Sequence, residues 1–348
     1  MKFEPIPLGS FSVIKYGKMP QKDKISDNGR YPIFSGYRVT GYYDEFNIED
    51  SELIVVARGV GGTGDVKLSP PHCYLTNLSI AVCVDENVAL KRYLYYYFKM
   101  NSLRYLDSGS AQSQITISDL QKVEVPLPDI SIQRSIVDIL SVLDDKIEAN
   151  IKINDNLMRQ AQAIYIDRFI TNADSTWPTG HLSDLVNVRY GKDHKKLADG
   201  HIPVYGSGGL MRRVERALYD KESVLIPRKG TLNNVLYVNE PFWSVDTMFY
   251  TEMRVPNAAK FVYHFVSSKD LASMNAGSAV PSMTTDILNA MELRIPAEST
   301  LAAFEGLVAP MYRAMQENRV QSEKLAIMRD TLLPRLMSGE IDVSDVTI

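Results

Sequence analysis

The sequence predicts an α+β protein built twice over. Two mixed α/β globular parts are each followed by a long helix, and the two helices form an antiparallel coiled coil about a pseudo-twofold axis. Three observations carry that expectation. One set of residues recurs at a nearly constant spacing, and 348 residues exceed what a single core usually organises. Two stretches of about 40 residues also hold a heptad-like apolar stripe.

The repeat is read from identities. Gly109, Ser110 and Ala111 return as Gly277, Ser278 and Ala279. The same spacing carries Thr116 onto Thr284, Leu120 onto Leu288, Pro128 onto Pro296, Ile139 onto Leu307, Asn150 onto Asn318 and Leu157 onto Leu325. Nearer the start the spacing drifts, as it does when loops differ in length. Leu8 with Tyr16, Gly17 and Lys18 matches Leu182 with Tyr190, Gly191 and Lys192; Pro32 to Phe34 matches Pro203 to Tyr205; and Arg58 matches Arg228.

In chain order, residues 1–130 form the first globular part. Ser51 to Ala57 is a β-branched run ending in a glycine-rich turn, and Leu78 to Val84 is a second strand. Leu90 to Met100 has apolar residues at helical spacing, and Val123 to Leu127 is a closing strand halted by proline. Residues 131–170 form the first helical region, with Ser131 as the N-cap and a stripe through Ile132, Ile136, Ile139, Leu140, Leu143 and Ile147. Residues 171–298 repeat the globular part, with a helix over Ala258 to Ser268 and a strand over Glu292 to Ile295. Residues 299–338 repeat the helix through Phe304, Leu307, Val308, Met311 and Met315, with Pro310 expected to kink it or start a new one. Residues 339–348 form a tail after a helix stop at Gly339. The equivalent Asn150 and Asn318 lie on the striped faces, where a polar residue fixes register; they are expected to face each other.

Composition narrows the function classes. Neither a long apolar run nor a basic, apolar leader is present, so a cytoplasmic protein without a membrane role is expected. Cys73 and Cys83 share one apolar neighbourhood and five histidines are scattered, which argues against a metal site. Arg58 to Gly64 (RGVGGTG) contains a GxGxxG pattern, but the segment after it continues as strand and opens no helix, so a hairpin tip fits better than a nucleotide cradle. Ser69, Pro70, Pro71 and His72 approach the motif that stacks a flipped adenine, yet His72 stands where the aromatic is needed. No catalytic residues are assigned.

The chain resembles the specificity subunits of type I restriction-modification systems. The resemblance rests on Gly109 to Leu120 (GSAQSQITISDL), Val125 to Pro128 (VPLP), Gln133 to Asn156 (QRSIVDILSVLDDKIEANIKINDN) and Met328 to Ile341 (MRDTLLPRLMSGEI). It spans nearly the whole chain. The second repeat departs from the pattern where Leu301 replaces Gln133 and Val280 with Pro281 replaces Gln112 with Ser113.

The resemblance implies two target-recognition domains that each read half of a gapped site in double-stranded DNA, and no catalytic residues. It further implies two methyltransferase subunits as partners, with restriction subunits in the full complex. S-adenosylmethionine, ATP and Mg would be bound by those partners, with no cofactor on this chain. The globular parts interleave cations with tyrosines and amides: Lys15, Tyr16, Lys18, Lys22 and Lys24 in the first, Arg189, Tyr190, Lys192, Lys195 and Lys196 in the second. Lysines of this kind hold phosphates, while arginine and side-chain amides read base edges. The expected DNA contacts are therefore Lys18, Lys22, Arg58, Gln112 and Gln114 in one head and Lys192, Lys195, Arg228, Lys229, Asn233 and Asn234 in the other. A net charge of −4 runs against DNA binding unless the cations are locally concentrated. The rival readings are a self-contained DNA methyltransferase or nuclease, and a helical scaffold that joins proteins.

Overall fold

A computed structural model describes residues 4–59, 62–107, 114–274 and 282–343. Gln112 and the repeated Gly-Ser-Ala segments lie outside the described residues. The chain divides into two compact units, the first made of 1–149 with 320–348 and the second of 150–319. Each unit holds one head and a stretch of both long helices. Among the described residues, no helix is long and apolar enough to cross a membrane.

In the first unit, strand Glu4–Pro7 pairs antiparallel with Glu124–Leu127. A four-stranded antiparallel sheet runs in the order Ser12–Tyr16, Ser79–Val84, Leu53–Val56, Val66–Leu68. A three-stranded sheet runs in the order Val39–Tyr43, Tyr31–Phe34, Tyr74–Leu75, its last pair parallel. The second unit repeats this plan strand for strand: Thr179–His181 with Glu292–Arg294, then Val186–Tyr190, Met248–Met253, Ser223–Pro227, Leu236–Val238, then Gly209–Val214, Asp199–Gly206, Trp243–Ser244.

The central strands explain why their sequences are continuous apolar runs. Leu53 to Val56 are all buried; Leu53 and Val55 pack in one cluster with Tyr93 and Leu94 of the helix Lys91–Met100. Ile54, pointing the other way, packs with Phe34 and Leu75 of the small sheet and with Cys73 beside it. A strand covered on both faces needs apolar residues at every position. In the second unit Val224 and Ile226 face Phe261 and Val262 of the helix Ala259–Ser267, while Leu225 faces Tyr205 and Trp243. Each such side chain contributes roughly 2 kcal/mol on burial.

The repeated identities have local causes. Thr116 and Thr284 are N-caps whose hydroxyls accept from the backbone N–H of Asp119 and Ile287 at 3.2 and 3.3 Å. Gly17 and Gly191 lie where a Cβ would come within 2.2 Å of the Thr76 carbonyl and 2.0 Å of the Val245 carbonyl, so only glycine fits.

The long helices span Ile130–Ile166 and Glu298–Met337. The expected N-cap of the first helix is corrected, and of the two courses expected at Pro310 one is excluded. Ser131 is not the N-cap: the helix opens one residue earlier, and the Asp129 carbonyl accepts from the N–H groups of Ile132 and Gln133 at 2.9 and 3.0 Å. Pro310 does not begin a new helix, which runs unbroken through it. Proline removes a single backbone bond, its ring crowds the carbonyl of Gly306, and a Cβ at Gly306 would meet nothing within 4 Å. Buried Phe304, Val308 and Tyr312 anchor the flanking turns.

The two helices run antiparallel. In the second unit Asn150 Nδ2 donates to the Asn318 carbonyl at 3.3 Å, Asn154 Nδ2 to the Met315 carbonyl at 3.1 Å, and Tyr312 lies against the Met158 sulfur at 3.9 Å. Partners thus fall along one helix as they rise along the other. In the first unit Ile136, Val137 and Leu140 share a core with Leu333, Leu336 and Met337, and Arg329 donates to Asp144 at 2.7 Å. Gly339, at φ +75°, ends the second helix, and Val343 returns to the first unit's core.

Candidate nucleic-acid interface

In each unit the loop that leaves the buried central strand meets the segment that leads into a short helix. In the first unit the Ala57 and Arg58 N–H groups both donate to the Leu78 carbonyl, Ile115 N–H donates to the Ala57 carbonyl, and Arg58 bridges Gln114. In the second unit the Arg228 and Lys229 N–H groups both donate to the Thr247 carbonyl, Met283 N–H donates to the Arg228 carbonyl, and Lys229 bridges Ser282. Position for position, Arg58 therefore corresponds to Lys229 and Ala57 to Arg228. The sequence match of Arg58 with Arg228 is off by one residue. The hydrogen-bonded register of the central strands, in which Val55 and Ile226 oppose Ile80 and Phe249, fixes the correct frame.

Arg58, Gln114 and Tyr16 come together, and Lys18 follows Tyr16 by two residues. Tyr16 Oη reaches the Ile115 carbonyl at 3.5 Å, and Lys18 N–H donates to Leu75. Lys22 stands apart, in a 3-10 turn over Lys22–Lys24 with no buried residue. In the second unit the Arg228 guanidinium lies 5.3 Å over the Tyr190 ring and donates to the Asp246 carbonyl at 3.3 Å. Lys192 follows Tyr190 and Gly191, and its carbonyl accepts from the Trp243 indole at 2.8 Å. Lys195 is exposed on the next loop. The amides serve the fold: Asn233 donates to Asp270 at 3.0 Å and accepts from Ala272 N–H, and Asn234 donates to the Ser207 carbonyl at 2.8 Å.

Residues 1–130 and 171–298 each carry nearly equal numbers of acidic and basic side chains, so neither head is basic as a whole. Pairing separates the cations of the fold into two groups. Arg92, Arg104, Arg189, Arg212 and Arg329 are held by carboxylates. The exposed Lys18, Lys22, Arg58, Lys192, Lys195 and Lys229 make no side-chain hydrogen bond or ion pair among the described residues. These cations are available to phosphates.

Sequence reasoning missed the tips of the small hairpins. Tyr37 packs on the basic loop of the first unit, where a Cβ at Gly62 would come within 2.2 Å of its ring. Ser207 does the same in the second, where a Cβ at Gly230 would lie 2.7 Å from its hydroxyl. The usable signal was glycine beside the cations, since close approach of another chain segment demands it.

The motifs with a chemical look are structural. Residues 57–65 connect the antiparallel strands Leu53–Val56 and Val66–Leu68, with Gly59 and Gly64 at φ +141° and +88°, and no helix follows. Ser69 is buried and its hydroxyl accepts from Glu52 N–H at 3.0 Å, while His72 packs against Tyr31 and Phe46. Burial pushes the Cys73 thiol up to about 11. Among the described residues no cluster of His, Cys, Asp and Glu could hold a metal ion.

A second polar cluster, also missed, lies where the head helix of the second unit meets the long helix. Lys260 is 3% exposed and pairs with Glu222 and Glu305 at 2.6 and 2.7 Å, and Tyr237 also donates to Glu222. His264, pushed down to about 4 by burial, lies 3.0 Å from the Tyr312 hydroxyl.

Comparison with known proteins agrees with this architecture. The type I restriction modification DNA specificity domain family matches residues 1–159 and 174–300. The MjaIX specificity subunit of Methanocaldococcus jannaschii is 23% identical, over 78% of this chain and 74% of its own length. A type I specificity subunit of Mycoplasma pneumoniae is 24% identical over 94% of both chains. The crystal structure of the S subunit from M. genitalium superposes with a TM-score of 0.67 at 20% identity, covering 97% of this chain and 96% of that one. With two matched copies covering most of its length, the chain belongs to the type I restriction modification DNA specificity domain family.

Proposed function

We propose that this chain is the recognition subunit of a type I restriction-modification complex, in which each head binds one half of a bipartite, gapped duplex site. One observation carries the reading: the same fold occurs twice and sets an unpaired cation, Arg58 or Lys229, at the same place in each copy. Phosphates held there and at Lys18 or Lys192 orient the duplex, and loop residues that differ between the copies read different bases. Methyl transfer to adenine is performed by two methyltransferase subunits carrying S-adenosylmethionine, and cleavage by restriction subunits using ATP and Mg. A role on cellular and invading DNA requires the cytoplasm. Asn150 and Asn318 set the register of the helix pair, since a slip of one turn would bury amides without partners.

The test combines the purified chain with its genomically adjacent methyltransferase subunit, S-adenosylmethionine and random-sequence duplex DNA. A gapped two-part methylation motif that needs both proteins is the expected result. Methylation by this chain alone would make it an enzyme, and no methylation or DNA binding by the mixture would make it a scaffold.

A further inference from the structure

The tips of the small hairpins differ in chemistry between the two copies, and they lie against the basic loops. In the first unit Phe34 pairs with Val39, Ser35 N–H donates to the Arg38 carbonyl at 3.2 Å, and Gly36 and Tyr37 form the tip with Arg38 directly after it. Arg38 is exposed, and its guanidinium makes no hydrogen bond or ion pair among the described residues. In the second unit Tyr205 pairs with Leu210 and Gly206 with Gly209, so the tip is Ser207 and Gly208. Aligning Phe34–Val39 with Tyr205–Leu210 sets Arg38 at the position of Gly209 and Val39 at that of Leu210.

Two consecutive large apolar residues, Leu210 and Met211, then stand 50% and 57% exposed. They are not isolated from the cations. Asn234 donates to the Ser207 carbonyl at 2.8 Å, and Gly230, next to Lys229, is close enough to Ser207 that a Cβ would lie 2.7 Å from its hydroxyl. Tip and basic loop are thus held as one body, and Tyr37 against Gly59 and Gly62 makes the corresponding joint in the first unit. Each tip thus lies against the loop that carries Arg58 or Lys229.

Resting on the DNA-recognition reading above, we propose that the two hairpin tips and their flanking residues are specificity-determining elements of different chemistry, an unpaired arginine beside Val39 in the first and a wider apolar pair in the second. Arg38 reads the O6 and N7 acceptors of a guanine, and Leu210 with Met211 contact the 5-methyl group of a thymine. Arginine matches guanine bidentately, whereas an aliphatic pair offers no hydrogen bond and distinguishes thymine through its methyl group. One half-site therefore contains a guanine read by the first head, and the other a thymine read by the second.

The experiment uses this chain with its methyltransferase subunit, S-adenosylmethionine and random-sequence duplex DNA, and maps the methylated adenines. R38A is expected to make one guanine position degenerate in one half-site only. The double variant L210S/M211S should make one thymine position degenerate in the other half-site only. Replacing that thymine by deoxyuridine, which removes only the methyl group, should slow the wild-type complex about five- to tenfold and leave L210S/M211S indifferent. Thermal melts equal to wild type show that the variants are folded. An unchanged motif in either variant, loss of methylation on every sequence by a folded variant, or equal wild-type rates on thymine and deoxyuridine overturns the proposal. A wild-type complex that yields no gapped motif overturns the underlying reading, and is recognised before any substitution is made.

Discussion

The two copies of the fold close the same joint, between head helix and long helices, with different chemistry. In the first unit Tyr96 donates to Asp144 at 2.8 Å, and Asp144 also accepts from Arg329 at 2.7 Å. At the matching positions of the second unit stand His264, Tyr312 and Ala161, and rings replace the ion pair: His264 stacks on Tyr165 at 5.3 Å and meets Tyr312. Gln133, fully buried, accepts from Leu90 N–H and donates to the Val88 and Pro128 carbonyls, whereas its counterpart Leu301 is equally buried and apolar. The backbone plan accommodates either solution, because each supplies partners for the polar groups it buries at these positions. What it does not tolerate is half of one solution placed in the other, because a lone polar group is then left without partners.

The largest expected effect comes from removing the cation of the second joint. Lys260→Met leaves Glu222 and Glu305 facing each other inside the protein, and should cost the second unit roughly 3–5 kcal/mol. Both tryptophans, Trp177 and Trp243, lie in that unit, so denaturant unfolding followed by their fluorescence reads it selectively. A loss below about 1 kcal/mol would mean that water shields the two carboxylates.

Acid should separate the copies next. His264 is neutral in the fold, and its folded value of about 4 lies below the 6.5 of a free histidine. The unfolded chain therefore binds the extra proton first, so the neutral imidazole's contribution is complete above pH ~6.5 and is lost as pH falls toward ~4. The second unit should lose on the order of 3 kcal/mol across that window. The variant His264→Gln should flatten that part of the pH profile read by tryptophan fluorescence, and an unchanged slope would mean that other groups carry it.

Exchanging the equivalent buried residues should damage both copies by a smaller amount. Gln133→Leu strands Leu90 N–H and two carbonyls, and Leu301→Gln inserts an amide among apolar neighbours; each should cost roughly 2 kcal/mol. Hydrogen exchange of the helix Lys91–Met100 reports the first, tryptophan fluorescence the second. If both exchanges were neutral, the two joints would be interchangeable and their difference in chemistry would have no energetic content.

The smallest effect is expected at the partly exposed ion pair. Asp144→Asn keeps the shape but removes the charge facing Arg329, whose side chain is 28% exposed, and should cost about 1 kcal/mol. Hydrogen exchange in the long helices at low and high salt would show it, with the difference from wild type shrinking as salt rises.

Much of the fold was legible because periodicity and punctuation are local. The apolar run at Leu53 to Val56, the stripe from Ile132 to Ile147 and the caps at Thr116 and Thr284 each announce an element within a few residues. The candidate interface was legible only in part. Arg58 and Gln114 were expected in one head, and the structure brings them together across 56 residues of chain. The pairing of Arg58 with Arg228 was wrong because identity alone cannot see a one-residue shift in a loop. Asn233 and Asn234 look like base readers in sequence, but their amides are occupied by Asp270 and Ser207.

By itself the sequence determined that the chain is a duplicated α+β protein with two long striped helices, since burial in a helix or strand imprints its period on neighbouring residues. Only the tertiary structure decided which side chains answer one another. Lys260 reads as an ordinary solvated charge on a helix until Glu222 and Glu305, 38 and 45 residues away, close around it. Asn154 likewise becomes part of the helix seam only when Met315 and Asn318 arrive from the opposite strand of the pair. The physical reason is that the energy of a buried polar group is set by partners distant in sequence, and spacing along one segment carries no record of them.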